Sequence, residues 1–299
     1  MNVTETGAVV AYRTGWRAVR YLPEKVAYAL FDTVADTAWR RGAKGPQRLR
    51  TNLARVVDGA DGPDLDALTR AAMRSYFWYW CDAFRLPDWA PERVNRIDVR
   101  NMDVLRAAMD AGRGAVGALP HMGNWDHAGA WVMSTGVPVT TVAERLKPEA
   151  VYRQFLDFRE ALGMTIYPLS GDVDVFARLA EHVRGNDFVP LVADRDLTAS
   201  GVPVTFFGER ATMPAGPAAL ALRTGAPLIP VTTWFDGEAP DHTLVLQFDE
   251  VVEPPSGSRR DAVASMTQRL AEVFEWRIRD NPRDWHMLQR LFAADLTPR

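Results

Sequence analysis

The sequence predicts an α/β fold, with a mostly parallel central sheet flanked by helices and preceded by a helical N-terminal segment. From about Val94 onward, short segments rich in β-branched and apolar residues alternate with longer segments of helical periodicity. This alternation is typical of strand–helix–strand units, which build a parallel sheet covered on both faces. No linker, repeat or low-complexity segment divides the chain. We therefore expect residues 1–299 to form a single domain, with 13–85 as its helical part.

The N-terminal part is predicted to contain three helical segments. Apolar residues recur at helical spacing over 16–39, with a break near Pro23, because proline interrupts the helical hydrogen bonds. A glycine-rich cluster at 42–46 separates this segment from a helix that starts near Leu49. A turn rich in glycine and aspartate then precedes the third helix, at 64–85.

The remainder alternates between strands and helices, and glycines close most of the helices. The predicted strands are 94–99, 115–119, 139–143, 164–168, 188–193, 228–234 and 243–248. The predicted helices are 104–111, a segment ending before Gly136, 148–162, 173–183, 215–223 and 262–278.

The bulk composition excludes several classes of protein. A net charge of −3 gives no indication of a nucleic-acid partner. The single cysteine, Cys81, excludes an intramolecular disulfide and a cysteine-rich metal site, and it favours a reducing compartment. No apolar run reaches the roughly 18 residues of a membrane-spanning helix, and the N-terminus lacks the pattern of a signal peptide. Any contact with a membrane is therefore expected to be peripheral.

Two features of the N-terminal part favour contact with an anionic membrane surface. Ten basic and three acidic residues lie between Arg13 and Arg55, and such a positive segment is attracted to anionic lipid. Five consecutive aromatic residues, Tyr76–Trp80, cover every face of the third helix, and Trp and Tyr accumulate at lipid interfaces. A solvated basic face and a helix packed between neighbouring helices are the alternatives.

The richest chemistry is predicted in the stretch Leu119–His127, which joins a strand to a helix. If Asn124 caps that helix, Asp126 lies in its first turn, where the helix dipole favours a carboxylate. One ring nitrogen of His121 then reaches Asp126, and the other accepts a proton near neutral pH. This is a general base with its orienting carboxylate but no protein nucleophile, so a substrate hydroxyl is the expected nucleophile. A helix-capping pair without chemistry is the alternative.

Motif blocks along the chain extend this interpretation. His121-x4-Asp126 after a strand resembles the H-x4-D motif of the glycerolipid acyltransferase superfamily. Its surroundings resemble the lipid A lauroyltransferase branch, which includes the actinobacterial phosphatidylinositol mannoside acyltransferases. Each block is weak alone, but their order along nearly the whole chain is specific. The other blocks are AERLKP at 143–148, Phe158-Arg159 with Gly163, ADRDL at 193–197, FFGE at 206–209, MPAGP at 213–217 and DWHMLQ at 284–289.

The resemblance implies an acyl-CoA-dependent O-acyltransferase that moves a long acyl chain, typically palmitoyl, to a mannose hydroxyl of a glycophospholipid. It implies His121 as general base, Asp126 as its orienting residue and Asp194 as a further catalytic carboxylate, at a position where the family usually has glutamate. The implied location is the cytoplasmic face of the plasma membrane. No metal and no cofactor are implied, since acyl-CoA is a substrate. The implied substrate-binding residues are Arg159, Ser200, Glu144, Arg223 and His286.

Two further expectations concern the surroundings of His121. Backbone N–H groups around Gly123 and the following helix N-terminus are candidate donors to the oxyanion of the reaction. Small residues beside large ones on that helix leave room for an acyl chain; they are Ala128, Gly129, Ala130, Trp131 and Met133.

Other functions stay open at this point. Another glycolipid or a lysophospholipid is an alternative acceptor. A metal-dependent hydrolase would use His121, Asp126, Asp194 and Asp196, although no closely spaced second histidine is evident. A non-catalytic lipid-binding relative is the third alternative.

Overall fold

The fold is α/β, with a mostly parallel central sheet flanked by helices and a helical N-terminal segment, as the sequence predicts. The computed structural model describes residue 15 and residues 18–57, 62–144, 149–169, 174–196 and 201–296.

The N-terminal part consists of helices α1 (Glu24–Arg40), α2 (Lys44–Val56) and α3 (Gly62–Arg85). The first of these begins directly after Pro23, whose carbonyl accepts the opening helical hydrogen bonds. Its residues Ala27, Phe31 and Ala35 recur every four positions and are buried, so one face of α1 packs inward.

The aromatic run Tyr76–Trp80 packs within the protein. Trp78 and Tyr79 are buried. Tyr79 also lines a cleft described below, together with the partly exposed Tyr76 and Trp80. The run therefore does not form the lipid-facing surface that its composition suggested; it belongs to a helix packed between neighbours.

Five strands form the central sheet, in the order β1-β9-β8-β2-β5. Strands β2, β5 and β8 run parallel to one another, and β9 pairs antiparallel with β8, while β1 is parallel to β9. The strands are β1 (Ile97–Arg100), β2 (Ala115–Leu119), β3 (Thr140–Ala143), β4 (Thr165–Pro168), β5 (Phe188–Val192), β6 (Val202–Phe206), β7 (Glu209–Met213), β8 (Leu228–Asp236) and β9 (Thr243–Phe248).

Helices connect these strands and cover both faces of the sheet. Alternate residues of β2 point to opposite sides, so Val116 and Ala118 join one core cluster while Ala115 and Leu119 join the other. The N-terminal helices contribute Leu49, among others, to the first of these clusters. The connecting helices are α4 (Pro91–Val94), α5 (Met102–Asp110), α6 (Trp125–Ser134), α7 (Glu149–Ala161), α8 (Val175–Arg184), α9 (Gly216–Thr224) and α10 (Arg259–Asp280).

The hairpin β6–β7 was not predicted, although Gly208 is a glycine of the kind that tight hairpin turns favour. Phe207 and Gly208 both have positive φ, at 49° and 74°, as a tight two-residue hairpin turn requires.

None of the described helices is long and apolar enough to cross a membrane.

Candidate active site

The candidate site lies where β2 and β5 end side by side. These strands are parallel, and Leu119 pairs in register with Val192, the last residues of each strand. His121 and Asp194 each follow two residues later, so the fold brings them to the same level of the carboxyl edge. Parallel sheets of this kind place their ligand sites at that edge.

Asp194 holds both the ring and the backbone of His121. Its Oδ1 lies 2.5 Å from His121 Nδ1, and its Oδ2 accepts the His121 backbone N–H at 2.9 Å. The indole N–H of Trp285 donates to the same Oδ2 at 3.0 Å. Burial alone would raise the pKa of Asp194, but the charge of His121 and these hydrogen bonds hold it below its ordinary value. The carboxylate therefore stays ionised and fixes the Nδ1–H tautomer of His121.

Asp126 does not contact the ring of His121, which corrects the pairing predicted from the sequence. Its Oδ1 accepts Arg159 Nε at 2.6 Å, and its Oδ2 accepts Arg159 Nη2 at 3.1 Å and the Tyr79 hydroxyl at 2.9 Å. Asp126 keeps the pKa of Arg159 above its ordinary value although burial opposes this. The first turn of α6 turns this carboxylate towards α3 and α7, while His121 turns towards β5.

The loop between β2 and α6 is fixed from both sides. His121 O accepts the backbone N–H of His286 at 2.7 Å, and the Gly123 N–H donates to Asp284 O at 3.0 Å. Gly123 has φ +59°, and a Cβ there would lie 2.4 Å from Thr233 O, so only glycine fits. The Gly123 N–H is therefore already used, which removes this group from the candidate donors to an oxyanion.

His121 opens onto a cleft of about 1020 Å³, which we call the reaction cleft. Since Nδ1 carries the proton shared with Asp194, Nε2 is the proton-accepting nitrogen, and the structure gives it no hydrogen-bond partner among the described residues. Three predicted substrate-binding residues, Arg159, Glu144 and His286, line this cleft. Glu144 is exposed and lies 3.6 Å from Arg195 Nη2, which lines the same cleft.

His286 is held in its neutral form below the cleft surface. Ser75 Oγ donates to Asp284 at 2.5 Å and lies 2.9 Å from His286 Nε2. Burial lowers the pKa of His286 to about 3 and raises the pKa of Asp284 to about 6. Because the serine proton is given to Asp284, His286 Nε2 is the donor to Ser75. Its Nδ1 is an acceptor that has no hydrogen-bond partner among the described residues.

One predicted substrate-binding residue, Arg223, does not line the cleft. Arg223 lies in the last turn of α9, five residues before β8 begins, and therefore at the amino edge of the sheet. Its guanidinium lies 5.4 Å from the ring centroid of Phe176. The helix that follows the MPAGP motif runs back along the sheet, which carries Arg223 away from His121. The structure therefore does not place Arg223 where it could contact an acyl donor in the reaction cleft. Ser200 lies outside the described residues.

An apolar pocket of about 640 Å³ lies behind His121 and shares Trp125 and Arg159 with the reaction cleft. Helix α6 contributes five lining residues with helical spacing, which are Trp125, Asp126, Ala128, Gly129 and Val132. The expectation for Ala128 and Gly129 therefore agrees with the pocket. Ala130, Trp131 and Met133 lie on other faces of the helix and do not line it.

Several residues at the site were missed by the sequence reasoning. Trp285 lies in the block DWHMLQ, but nothing in its local pattern indicates a bond to Asp194. Tyr79 was recognised only as part of an aromatic run, and Ser75 was not considered.

The four residues of the metal-hydrolase alternative do not converge: no group of three or more potential ligands that could hold a metal ion occurs within the described part of the chain.

Comparison with known proteins places the chain in a family. The model for bacterial lipid A biosynthesis acyltransferases matches residues 1–294. A Mycolicibacterium smegmatis protein named phosphatidylinositol mannoside acyltransferase is 47% identical over 298 residues, which cover 99% of this chain and 93% of that protein. A Mycobacterium tuberculosis protein of the same name is 46% identical over 300 residues, with 99% and 92% covered. These matches confirm the resemblance carried by the motif blocks: the chain belongs to the bacterial lipid A biosynthesis acyltransferase family.

Proposed function

We propose that this protein transfers a long acyl chain, such as palmitoyl, from acyl-CoA to a mannose hydroxyl of phosphatidylinositol mannosides. The observation that carries the proposal is the position of His121, whose unbonded Nε2 faces a polar cleft that adjoins an apolar pocket. The names of the two relatives support the acceptor. The reaction needs both compartments, because a hydrophilic hydroxyl must meet the thioester of a hydrophobic chain.

His121 acts as the general base. Its Nε2 accepts the proton of the mannose hydroxyl while the oxygen attacks the thioester carbonyl; the new C–O bond forms and the C–S bond breaks. The CoA thiolate then takes the proton from the imidazolium, so ester and CoA thiol leave and no acyl-enzyme forms. Asp194 stabilises the imidazolium through Nδ1. Asp126 acts through Arg159 and Tyr79, keeping the wall between cleft and pocket in place.

The acyl chain lies in the apolar pocket and the acceptor in the reaction cleft. The pocket walls are mostly aliphatic and aromatic side chains, which suit a hydrocarbon chain. The cleft combines the rings of Tyr76 and Trp80 with polar groups of Glu144, Arg195 and His286. Aromatic faces and hydrogen-bonding groups together suit the C–H faces and hydroxyls of a sugar.

We also propose that the protein binds peripherally to the cytoplasmic side of the membrane, and the outer face of α1 supports the membrane contact. Val26, Leu30 and Val34 recur every four residues on that face and are 51%, 47% and 43% exposed. Lys25 and Arg40 on the same helix are exposed as well. An apolar stripe with flanking cations is the pattern of a helix that lies in the interface of an anionic bilayer.

The acceptor assignment is tested by incubating the protein with labelled palmitoyl-CoA and a panel of phosphatidylinositol mannosides, other glycolipids and lysophospholipids. We expect a labelled ester on the mannosides and none with the His121→Gln protein. If no lipid is acylated and only slow thioester hydrolysis occurs, the proposed acceptor is wrong. Labelling of a lysophospholipid alone would favour that alternative acceptor.

The membrane face is tested by flotation with vesicles of phosphatidylcholine containing anionic phosphatidylinositol. We expect Leu30→Glu to reduce the bound fraction strongly, because it places a carboxylate in the apolar stripe. Trp276→Glu is the matched control, since Trp276 is an equally exposed apolar residue, at 54%, on α10. Equal binding of both variants and the wild-type protein would contradict this part of the proposal.

A further inference from the structure

A second groove lies beside the reaction cleft, between α2 and the C-terminal segment. It has a volume of about 880 Å³ and we call it the basic groove. It is lined by Lys44, Gln47, Arg48, Thr51, Asn52, Gln289, Arg290 and Asp295. Three of these side chains are cations and four others are neutral hydrogen-bonding groups, so the groove is polar throughout.

The charges of Lys44 and Arg48 are not neutralised by the single acid of the basic groove, Asp295. Both oxygens of Asp295 are taken by Arg55, at 2.9 and 3.0 Å, and Arg55 is itself not a lining residue. Within the described ranges, no carboxylate lies within ion-pair distance of Lys44 or Arg48. The N-terminus of α2, at Lys44, adds its partial positive charge.

In the reaction cleft, by contrast, the positive charges are paired with carboxylates. Its two arginines each face a carboxylate, with Arg159 bound to Asp126 and Arg195 near Glu144. His286 is neutral at physiological pH, because burial lowers its pKa to about 3. The cleft is thus suited to uncharged hydroxyls, whereas a phosphate would meet unmatched positive charge only after passing beyond it.

The two spaces are joined by one ordered segment. Gln289 lines both of them. The buried amide of Asn52 donates to Met287 O at 2.8 Å and to Gln289 O at 2.9 Å, which fixes this segment against α2. A substrate that reacts at His121 can therefore extend past Gln289 and reach Lys44 and Arg48 along a fixed wall.

We propose that the basic groove is a phosphate-binding subsite for a substrate whose reacting end lies at His121. This inference rests on the proposed function, because both proposed substrates carry phosphate: acyl-CoA at its nucleotide end, and the glycophospholipid in its phosphodiester. Lys44 and Arg48 bind the phosphate oxygens by charge-assisted hydrogen bonds, and Gln47 and Gln289 supply neutral donors. The positive charge of Lys44 and Arg48 favours a phosphate group, and the experiment distinguishes whether that phosphate belongs to the donor or to the acceptor.

The test is the double variant Lys44→Glu, Arg48→Glu, with Lys44→Gln, Arg48→Gln as a milder version. The matched control is Arg106→Glu, Arg260→Glu, which makes the same charge change at exposed residues of α5 and α10 that line neither space. KM and kcat are measured with palmitoyl-CoA, with the phosphate-free thioester palmitoyl-N-acetylcysteamine, with the phospholipid acceptor and with a phosphate-free alkyl mannoside.

We expect KM for one phosphate-bearing substrate to rise by about tenfold or more, as lost charge-assisted contacts predict, with kcat little changed. If the donor is bound there, the effect disappears with the N-acetylcysteamine thioester; if the acceptor is bound there, it disappears with the alkyl mannoside. Unchanged KM values relative to the control variant would overturn the inference.

The failure of the inference can be distinguished from failure of the proposed function. If the wild-type protein acylates none of the acceptors, the proposed function fails, and the groove is then tested by equilibrium binding of CoA and of glycerophosphoinositol. Loss of about tenfold in affinity for either probe in the Lys44, Arg48 variants supports the subsite. Equal affinity in the variants and the control overturns it.

Discussion

Two histidine–aspartate pairs lie at opposite edges of the central sheet, and they differ at the second ring nitrogen. At the carboxyl edge, His121 Nδ1 is 2.5 Å from Asp194; at the amino edge, His182 Nδ1 is 2.7 Å from Asp187. Both histidine side chains are 29% exposed. However, His182 Nε2 lies 3.0 Å from the Tyr167 hydroxyl, whereas His121 Nε2 has no such partner among the described residues.

The comparison indicates that a histidine–aspartate pair with a partly exposed ring is not sufficient to predict a general base. Asp187 also accepts the Thr140 hydroxyl at 2.7 Å, so the His182 pair is a closed network that ties β3, α8 and β5 together. His182 lines neither the reaction cleft nor the apolar pocket. His121 differs because its second nitrogen faces the reaction cleft, where the proposed hydroxyl and thioester meet.

The largest effect is expected for His121→Gln against His182→Gln. The first removes the proton acceptor and should lower kcat by roughly 10²- to 10⁴-fold, the usual contribution of a general base. The second should leave kcat close to wild type, because that ring only stabilises the fold. Initial rates of ester formation from palmitoyl-CoA, with thermal unfolding measured in parallel, check both. A comparable loss in a well-folded His182→Gln protein would remove the distinction between the two edges.

Asp194→Asn against Asp187→Asn gives the next largest effect. The side-chain amide introduced by Asp194→Asn can donate to Nδ1 of His121, which moves the ring proton to Nε2 and leaves no acceptor for the substrate proton. A loss on the order of a hundredfold or more in kcat is expected, with KM little changed. Asp187→Asn should instead lower the melting temperature and spare kcat. Full activity of the Asp194→Asn protein would show that the carboxylate does not set the tautomer.

The pair at the carboxyl edge could be predicted in part from the sequence. Because parallel strands bring their carboxyl ends together, the predicted strands 115–119 and 188–193 place His121 and Asp194 at one edge of the sheet. The register of Leu119 with Val192 places them at the same level. Spacing within the chain nevertheless favoured Asp126 as the partner of His121, because a five-residue separation is visible locally and a separation of 73 residues is not.

The rest of the site depends on contacts between residues far apart in the chain. Asp126 is turned away from His121 by Arg159 and Tyr79, which are 33 and 47 residues away. Trp285 reaches Asp194 across 91 residues. No periodicity or capping rule predicts such contacts, because packing of helices against the sheet decides them.

Gly129→Leu tests the apolar pocket that adjoins His121. A Cβ at this position would lie 2.6 Å from Met164 Cε, and the larger side chain would fill the space beside it. We expect kcat/KM for palmitoyl-CoA to fall by roughly ten- to a hundredfold, in line with the loss of a few buried methylene groups from the pocket. Butyryl-CoA is the internal control, since its short chain needs little of the pocket. Equal losses for both donors would contradict the assignment.

Trp285→Phe should have a smaller effect that appears mainly in the pH profile. It keeps the ring but removes the N–H that donates to Asp194, so kcat should fall by about tenfold. The wild-type pKa of Asp194 is held below its ordinary value, and losing a donor raises it. In the proposed mechanism the carboxylate must be ionised, so the acid limb of kcat/KM should move to higher pH. Trp276→Phe is the control, and an unshifted acid limb with normal stability would mean that Trp285 has no positioning role.

The smallest effect is expected for Tyr167→Phe, which frees Nε2 of His182 and makes the amino-edge pair resemble the carboxyl-edge pair. Its loss of one hydrogen bond should cost about 1 kcal/mol of unfolding free energy, measured by denaturant titration. Combined with His121→Gln, it should restore no acyl transfer, because freeing a nitrogen does not bring the apolar pocket or the cleft to that edge. Recovery of ester formation in this double variant would show that an unbonded nitrogen is sufficient, and that the surroundings of His121 contribute less than its pairing with a carboxylate.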